Sequence, residues 1–239
     1  MNHAIVLAAQ QYLGFELCSA LLEKGWTVTA VDDDRETKDK WMEIGRNANL
    51  QYVPAHAWNK ELPVDCRLFL PFYDQFNENK PICLSLIEQC LDQNEEYPEI
   101  VQILSNKTER SQIIAAGKAD ITTFYLPTLY GAHQPDHFLF SQLLQGKKEE
   151  ELHYSDDPSG AIYVKDAANY IIKHSADHGT YSLKSLSKNS WEEALSYITQ
   201  ELTTPVIQER SPEGELITVH PSKSHDAILK EQKHILSFL

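Results

Sequence analysis

No run of about 18 or more apolar residues exists in this chain, so a membrane-spanning helix is excluded by composition. The basic-then-apolar opening of a secretory signal is missing too. Positive charge is in deficit: 21 Lys and Arg face 35 Asp and Glu, a formal net charge of -14. That balance argues against a nucleic-acid surface, which needs a basic stripe, and against binding to an anionic membrane. Cysteine is sparse, and Cys18, Cys66, Cys83 and Cys90 show no paired-ligand spacing. No metal centre is expected from them, and a reduced, cytoplasmic setting is. Internal repeats and low-complexity linkers are absent. Glycine, at 9 of 239 residues, is missing where it matters most, in the first turn of the chain.

What is present is an alternation of strand-like and helix-like segments. Ala4 to Leu7 reads as a buried strand, a helix passes through Cys18 to Leu22 and ends at Gly25, and Thr27 to Val31 forms a second strand closing on Asp32. Further strands are expected at Leu50–Val53, Asp65–Leu70, Ile100–Leu104 and Ile121–Leu126, three of them stopped by Pro54, Pro71 and Pro127. Helices are expected from about Glu36 to Ile44, from Lys80 to Leu91 and from near Asn106. The pattern then loosens into a helix at His137–Leu144, a strand at Ala161–Val164, a helix from Ala167 to His174 capped by Asp166, and a strand at Tyr181–Leu183. A helix capped by Ser190 runs from Trp191 to Leu202, and a hairpin is expected of Val206–Arg210 and Leu216–His220. The fold class is α/β: a doubly wound parallel sheet of the NAD(P)-binding, Rossmann-like kind over residues 1–128, with a smaller α+β part over residues 129–239 packed on it.

The first strand, turn, helix and second strand have the form of a dinucleotide-binding unit. A turn that grips pyrophosphate wants glycine for its bend and again for close backbone approach, and here it reads Ala8-Ala9-Gln10-Gln11-Tyr12-Leu13-Gly14. Only the helix-packing Gly14 remains, and side chains at Ala8 and Gln11 would stand in phosphate space. Asp32 follows Gly14 by 18 residues, where an acid accepts the ribose hydroxyls of NAD and repels the extra phosphate of NADP. The candidate cofactor residues are therefore Ala8, Gln10, Gln11, Gly14 and Asp32. Binding of NAD(H) stays open, NADP(H) is disfavoured, and the plainer role for Asp32, at a strand end, is to cap the following helix.

The order of the pieces resembles the extended short-chain dehydrogenase/reductase family, the nucleotide-sugar epimerases and dehydratases. The resemblance is carried by Leu126-Pro127-Thr128-Leu129-Tyr130-Gly131, similar to the family's Pro-x-x-Val-Tyr-Gly, and by Ile162-Tyr163-Val164-Lys165-Asp166-Ala167-Ala168, similar to Tyr-Val-x-Asp-Val-Ala. Gly179 to Leu183 followed by Ser190 to Leu195 resembles the closing strand and helix. The resemblance implies a catalytic Tyr-x-x-x-Lys pair. Asn106-Lys107-Thr108-Glu109 places Lys107 at the lysine, and the tyrosine position then falls on Ile103, which cannot transfer a proton. The arginine that grips the substrate diphosphate is replaced within Ser159-Gly160-Ala161. The leading reading is a scaffold that has lost redox catalysis and binds a small molecule or a protein partner. Its alternative is a divergent NAD-dependent enzyme using Tyr73, Tyr125 or Tyr130. The family often dimerises, which leaves a homodimer open.

Other constellations are weaker. His133 and His137, and His174 and His178, have i,i+4 spacing suited to a metal, but Pro135 interrupts the first and a helix end the second. Ser222, His225 and Asp226 name the members of a hydrolytic triad without the elbow that presents its serine. Phe72 and Tyr73 follow the fourth strand, at the sheet edge where ligands bind in such folds.

Overall fold

A computed structural model describes residues 2–33, 40–63, 65–75, 82–93, 98–108, 120–199 and 213–237. Strands β1 (His3–Leu7), β2 (Thr27–Asp32), β3 (Leu50–Pro54), β4 (Cys66–Leu70), β5 (Glu99–Ser105), β6 (Ile121–Leu126), β9 (Thr180–Ser185) and β10 (Glu215–Val219) form one sheet in the order β10-β9-β6-β5-β4-β1-β2-β3. The pairs β1–β2, β1–β4, β2–β3 and β4–β5 are parallel. β1 lies between β2 and β4, so the strand order reverses there, and the crevice above its carboxyl end is the place where open α/β sheets hold ligands. This is the expected doubly wound Rossmann-like α/β fold. No helix among the described residues is long and apolar enough to cross a membrane.

The chain divides into two compact units, one of Met1–Tyr125 with Ala168–Tyr181, the other of Leu126–Ala167 with Ser182–Leu239. In the first, the strands are apolar runs because both sheet faces are covered. Ile5, Leu7, Leu68, Leu70 and Ile100 are fully buried or nearly so. Helix α3 (Ile82–Gln93) packs Cys83, Leu86, Ile87 and Cys90 into that core, the face its spacing predicts. Burial pushes the Cys66 and Cys90 thiols up to about 12 and 11, so both stay protonated and inert.

Helix α1 (Tyr12–Glu23) is buried almost all round. Its end is set by Gly25 at φ 76, where the Gly25 and Trp26 N–H groups donate to the Leu22 and Leu21 carbonyls. Its start is set by Gly14: a Cβ there would lie 2.2 Å from the Ala8 carbonyl oxygen. Helix α2 (Trp41–Ile44) is the described part of the expected Glu36–Ile44 helix.

The second unit holds a two-stranded parallel sheet of β7 (Thr128–Tyr130) and β8 (Ala161–Tyr163), helix α4 (Leu139–Leu144), the first residues of α5 (Val164–His174), helix α6 (Ser190–Ser196) and helix α7 (His225–Leu236). Asp156 is its polar centre. Nearly fully buried, it accepts from Leu139 N at 2.8 Å, at the first turn of α4, and from Trp191 Nε1 at 3.3 Å. Two expected caps are corrected here. Ser190 is inside α6, whose N-cap is Asn189, and its Oγ instead accepts from Ala161 N at 2.9 Å. Asp166 lies within α5, which starts at Val164, and its Oδ2 accepts from Ser222 N at 2.9 Å. In both cases a longer-range donor won the side chain from the local one. The strand expected at Val206–Arg210 and most of the helix after Asn106 lie outside the described residues; the strand expected at Leu216–His220 is present as β10.

Gly14→Ala is expected to destabilise the fold by about 3 kcal/mol, because the only relief from the clash is to lift α1 off β1; urea unfolding measures it, and a change below experimental error would contradict the packing described. Asp156→Ala is expected to lower stability by about 2–4 kcal/mol, since two buried donors lose their acceptor, with a red-shifted Trp191 emission as the local signature.

Candidate functional site

The carboxyl ends of β1, β2 and β4 bring together three segments: Ala8–Gln11, Asp32–Asp33, and a 3-10 turn at Phe72–Gln75. The first keeps the shape of a phosphate turn without its glycine. Ala8 has φ 50, a left-handed conformation that an L side chain adopts only with strain of roughly 1 kcal/mol. Gln11 N closes the turn on the Ala8 carbonyl at 3.0 Å. The Ala8 methyl is packed in the hydrophobic core of the unit.

Asp32 is 3 % exposed, and its carboxylate is held by its own chain. Oδ2 accepts from Gln10 N at 2.7 Å and Oδ1 from Asp33 N at 2.7 Å. Gln10, also buried, donates from Nε2 to the Tyr52 hydroxyl at 2.7 Å, and that hydroxyl donates on to the Asp33 carbonyl at 3.0 Å. Tyr52 packs edge-on to Trp41, with ring centres 5.8 Å apart, and Trp41 edge-on to Phe15 at 5.9 Å. Lys40, only 6 % exposed, reaches across to the Gln11 carbonyl at 3.0 Å and lies over the Phe15 ring.

The start of α1 is where a dinucleotide's phosphates would be met by free backbone N–H groups. In this chain they have a partner of their own. Asp74 accepts from Leu13 N through Oδ1 and from Gly14 N through Oδ2, both at 2.9 Å. Burial pushes the Asp74 carboxyl up to about 6; the Leu13 and Gly14 N–H groups and the Lys40 cation pull it down, and Asp32 pushes it up further. Sequence reading missed Asp74, Lys40 and Tyr52. An acid three residues past the Pro71 that ends β4 was the available signal, in a loop the strand order carries to α1.

The remaining candidates separate. Ile103 is fully buried inside β5, which runs unbroken to Ser105. Lys107 is exposed and is set by its backbone, its N–H donating to Ser105 Oγ at 3.2 Å. Tyr73 and Phe72 are buried in the turn that carries Asp74, and Tyr125 is buried at the end of β6. In the second unit, the Tyr130 hydroxyl meets His225 Nδ1 at 2.7 Å, and His225 Nε2 lies 3.7 Å from Glu193 Oε2. Burial holds Tyr130 well above the ordinary phenol range and His225 below the usual imidazole value, with Glu193 drawing the latter back up. No hydrogen bond among the described residues joins Ser222, His225 and Asp226: Ser222 N donates to Asp166, Asp226 pairs with Lys230, and the His225 ring meets Tyr130 and Glu193. Gly160 and Ala161 are buried, and a Cβ on Gly160 would already touch Ser190 Oγ and Pro127. His174 pairs with Asp177 at 2.7 Å, and among the described residues no group of three His, Cys, Asp or Glu is placed to hold a metal.

No protein-family profile matches the chain. No curated protein matches it either. Solved structures do, across their full length. A UDP-glucuronic acid 4-epimerase from Bacillus cereus, with NAD and a UDP-sugar bound, has a TM-score of 0.64 at 13% identity, covering 99% of both chains. A dTDP-glucose 4,6-dehydratase from Bacillus anthracis in complex with NAD gives 0.64 at 12%, covering 100% of this chain and 97% of that one. A UDP-glucose 4-epimerase from Bifidobacterium longum with NAD+ and UDP gives 0.62 at 12%, covering 99% and 98%. Strand order, crevice and full-length correspondence agree: the chain has the fold of the NAD-dependent nucleotide-sugar epimerases and dehydratases, the extended short-chain dehydrogenase/reductase fold.

Proposed function

We propose that this protein is an epimerase/dehydratase-fold scaffold without redox catalysis, a pseudoenzyme whose role is to bind a small molecule or a protein partner, itself included. One observation carries the reading. By its spacing from Lys107, the position at which the resemblance calls for a proton-transferring tyrosine falls on Ile103, and Ile103 is buried in the middle of β5. Oxidising a sugar hydroxyl requires a base at the moment hydride leaves, and general acid–base catalysis contributes about 10²–10⁴-fold to such steps. An isoleucine supplies none of it, and its place inside a strand leaves no loop on which a phenol could be offered from the same position.

The neighbouring chemistry supports the same reading. Lys107, whose charge in the resembling enzymes acts on the missing phenol, is exposed. Asp32 holds backbone N–H groups with both of its oxygens. The tyrosines that a divergent enzyme would recruit are buried side chains, and Tyr130 shares its hydroxyl with His225.

Purified protein at neutral pH is expected neither to consume NADH nor to interconvert UDP- or dTDP-sugars, and Lys107→Ala is expected to leave that baseline unchanged. Thermal unfolding supplies the binding half: a cofactor present at 100 times its dissociation constant would stabilise the fold by about 2.7 kcal/mol, and none is expected with NADH or NADPH. Turnover that Lys107→Ala abolishes would establish the divergent-enzyme reading instead.

A further inference from the structure

Polar contacts of two different kinds hold the C-terminal helix α7 within its unit. Toward its end, Gln232 accepts from Gly131 N through Oε1 at 3.2 Å and donates from Nε2 to Gln134 Oε1 at 2.8 Å. Amides do not titrate. At its start the contact is His225, the first helical residue after the Ser224 cap. Its Nδ1 lies 2.7 Å from the Tyr130 hydroxyl on β7, and its Nε2 lies 3.7 Å from Glu193 Oε2 on α6. The Tyr130 and Tyr197 rings stand 5.7 and 6.4 Å from the imidazole. A carboxylate opposite Nε2 places the single hydrogen of the neutral ring there, so Nδ1 accepts and the phenol donates. Tyr130 is 2 % exposed, and among the described residues its hydroxyl meets no acceptor besides His225.

We propose that Tyr130, His225 and Glu193 form an acid-released latch on α7: the neutral imidazole fastens the start of the helix to β7, and a protonated one lets it go. The inference does not depend on how the crevice above β1 is read. A proton added at Nδ1 turns an acceptor into a donor. The Tyr130 hydroxyl can then only receive, and its own hydrogen is left buried without a partner, which is more costly than the bond was favourable. The new charge also sits on the first residue of a helix, the end that favours anions. Glu193 acts the other way, from a half-exposed position on α6. The other charges nearby are engaged: Lys223 with Glu231, Asp226 with Lys230, and Asp166 with Ser222 N while its field acts on Tyr130. Burial outweighs Glu193 and holds the imidazole below its usual 6.5. The latch therefore contributes fully to stability above about pH 6.5, and its contribution is lost as pH falls through the lower folded value. Release uncovers Ile228 and Leu229, the buried residues of the turn just beyond His225, as an apolar stripe presented only in acid.

Hydrogen exchange of the whole protein, corrected for its intrinsic pH dependence, reads the latch. Between pH 7.5 and pH 5 the α7 amides are expected to lose protection by about tenfold for each pKa unit separating the folded from the unfolded imidazole, while those of α3 keep theirs. His225→Asn keeps an acceptor for the phenol and does not titrate, so its α7 protection is expected to stay level over the same range. Glu193→Gln removes the charge that favours the imidazolium, so the midpoint of release is expected to move to lower pH; a merely structural contact would loosen α7 without moving the midpoint. Wild-type α7 protection that does not change with pH, or a change that His225→Asn retains in full, overturns the proposal. Should His225→Asn fail to fold, Glu193→Gln carries the test, and a midpoint that stays or rises overturns it.

Discussion

The close approach of two backbone segments, α1 against the end of β1, governs what the rest of the crevice can do. Gly14 has no side chain because the Ala8 carbonyl stands where one would go. That contact fixes the helix axis, aims its first amides over the sheet edge, and forces Ala8 into a left-handed backbone. In a phosphate turn the same geometry is made by glycines and completed by a ligand. Here an alanine carries the strain and an aspartate completes the helix. The architecture of a dinucleotide site persists because it is also the architecture of the core, in which Ala8, Val31 and Leu70 are packed together.

The crevice is in this sense filled from within. Asp32 draws the Gln10 amide down onto β2, the Gln10 side chain ties Tyr52, and Trp41 closes between Tyr52 and Phe15. Asp32, the Gln10 amide donor and the Leu13 and Gly14 N–H groups, which would face a nucleotide, face the protein. Buried hydrogen bonds of this kind are worth little net but are expensive to leave unmade, so such a network resists piecemeal return to ligand binding. On the proposed reading, an isoleucine at position 103 supplies no proton transfer, and polar groups turned onto the protein make no use of a glycine-rich turn.

Much of this fold was legible in the sequence because its strands are short apolar runs ended by proline or aspartate, and its first helix ends on a glycine that must be left-handed. β1, β2, β3, β4, β5 and β6 fall within a residue or two of where the pattern puts them. The three-residue strand β7 is too short to leave a period. Ser190 and Asp166 look like caps, and local sequence could not show that Ala161 N and Ser222 N, 29 and 56 residues away, hold them instead. The site was half legible. Ala8, Gln10, Gln11, Gly14 and Asp32 do lie together at one sheet edge, since spacing within a single strand–turn–helix–strand unit dictates it. Asp74 was not legible as a partner of α1, because the contact exists only once β4 is seated beside β1.

The most direct measurement is a crystal structure of the protein grown in saturating NAD. The account predicts Asp74 on the Leu13 and Gly14 amides, Asp32 on the Gln10 amide, and no nucleotide in the crevice. Density for a diphosphate on those two amides, with Asp74 swung away and the nicotinamide lying over β5 beside a tyrosine hydroxyl, would contradict it.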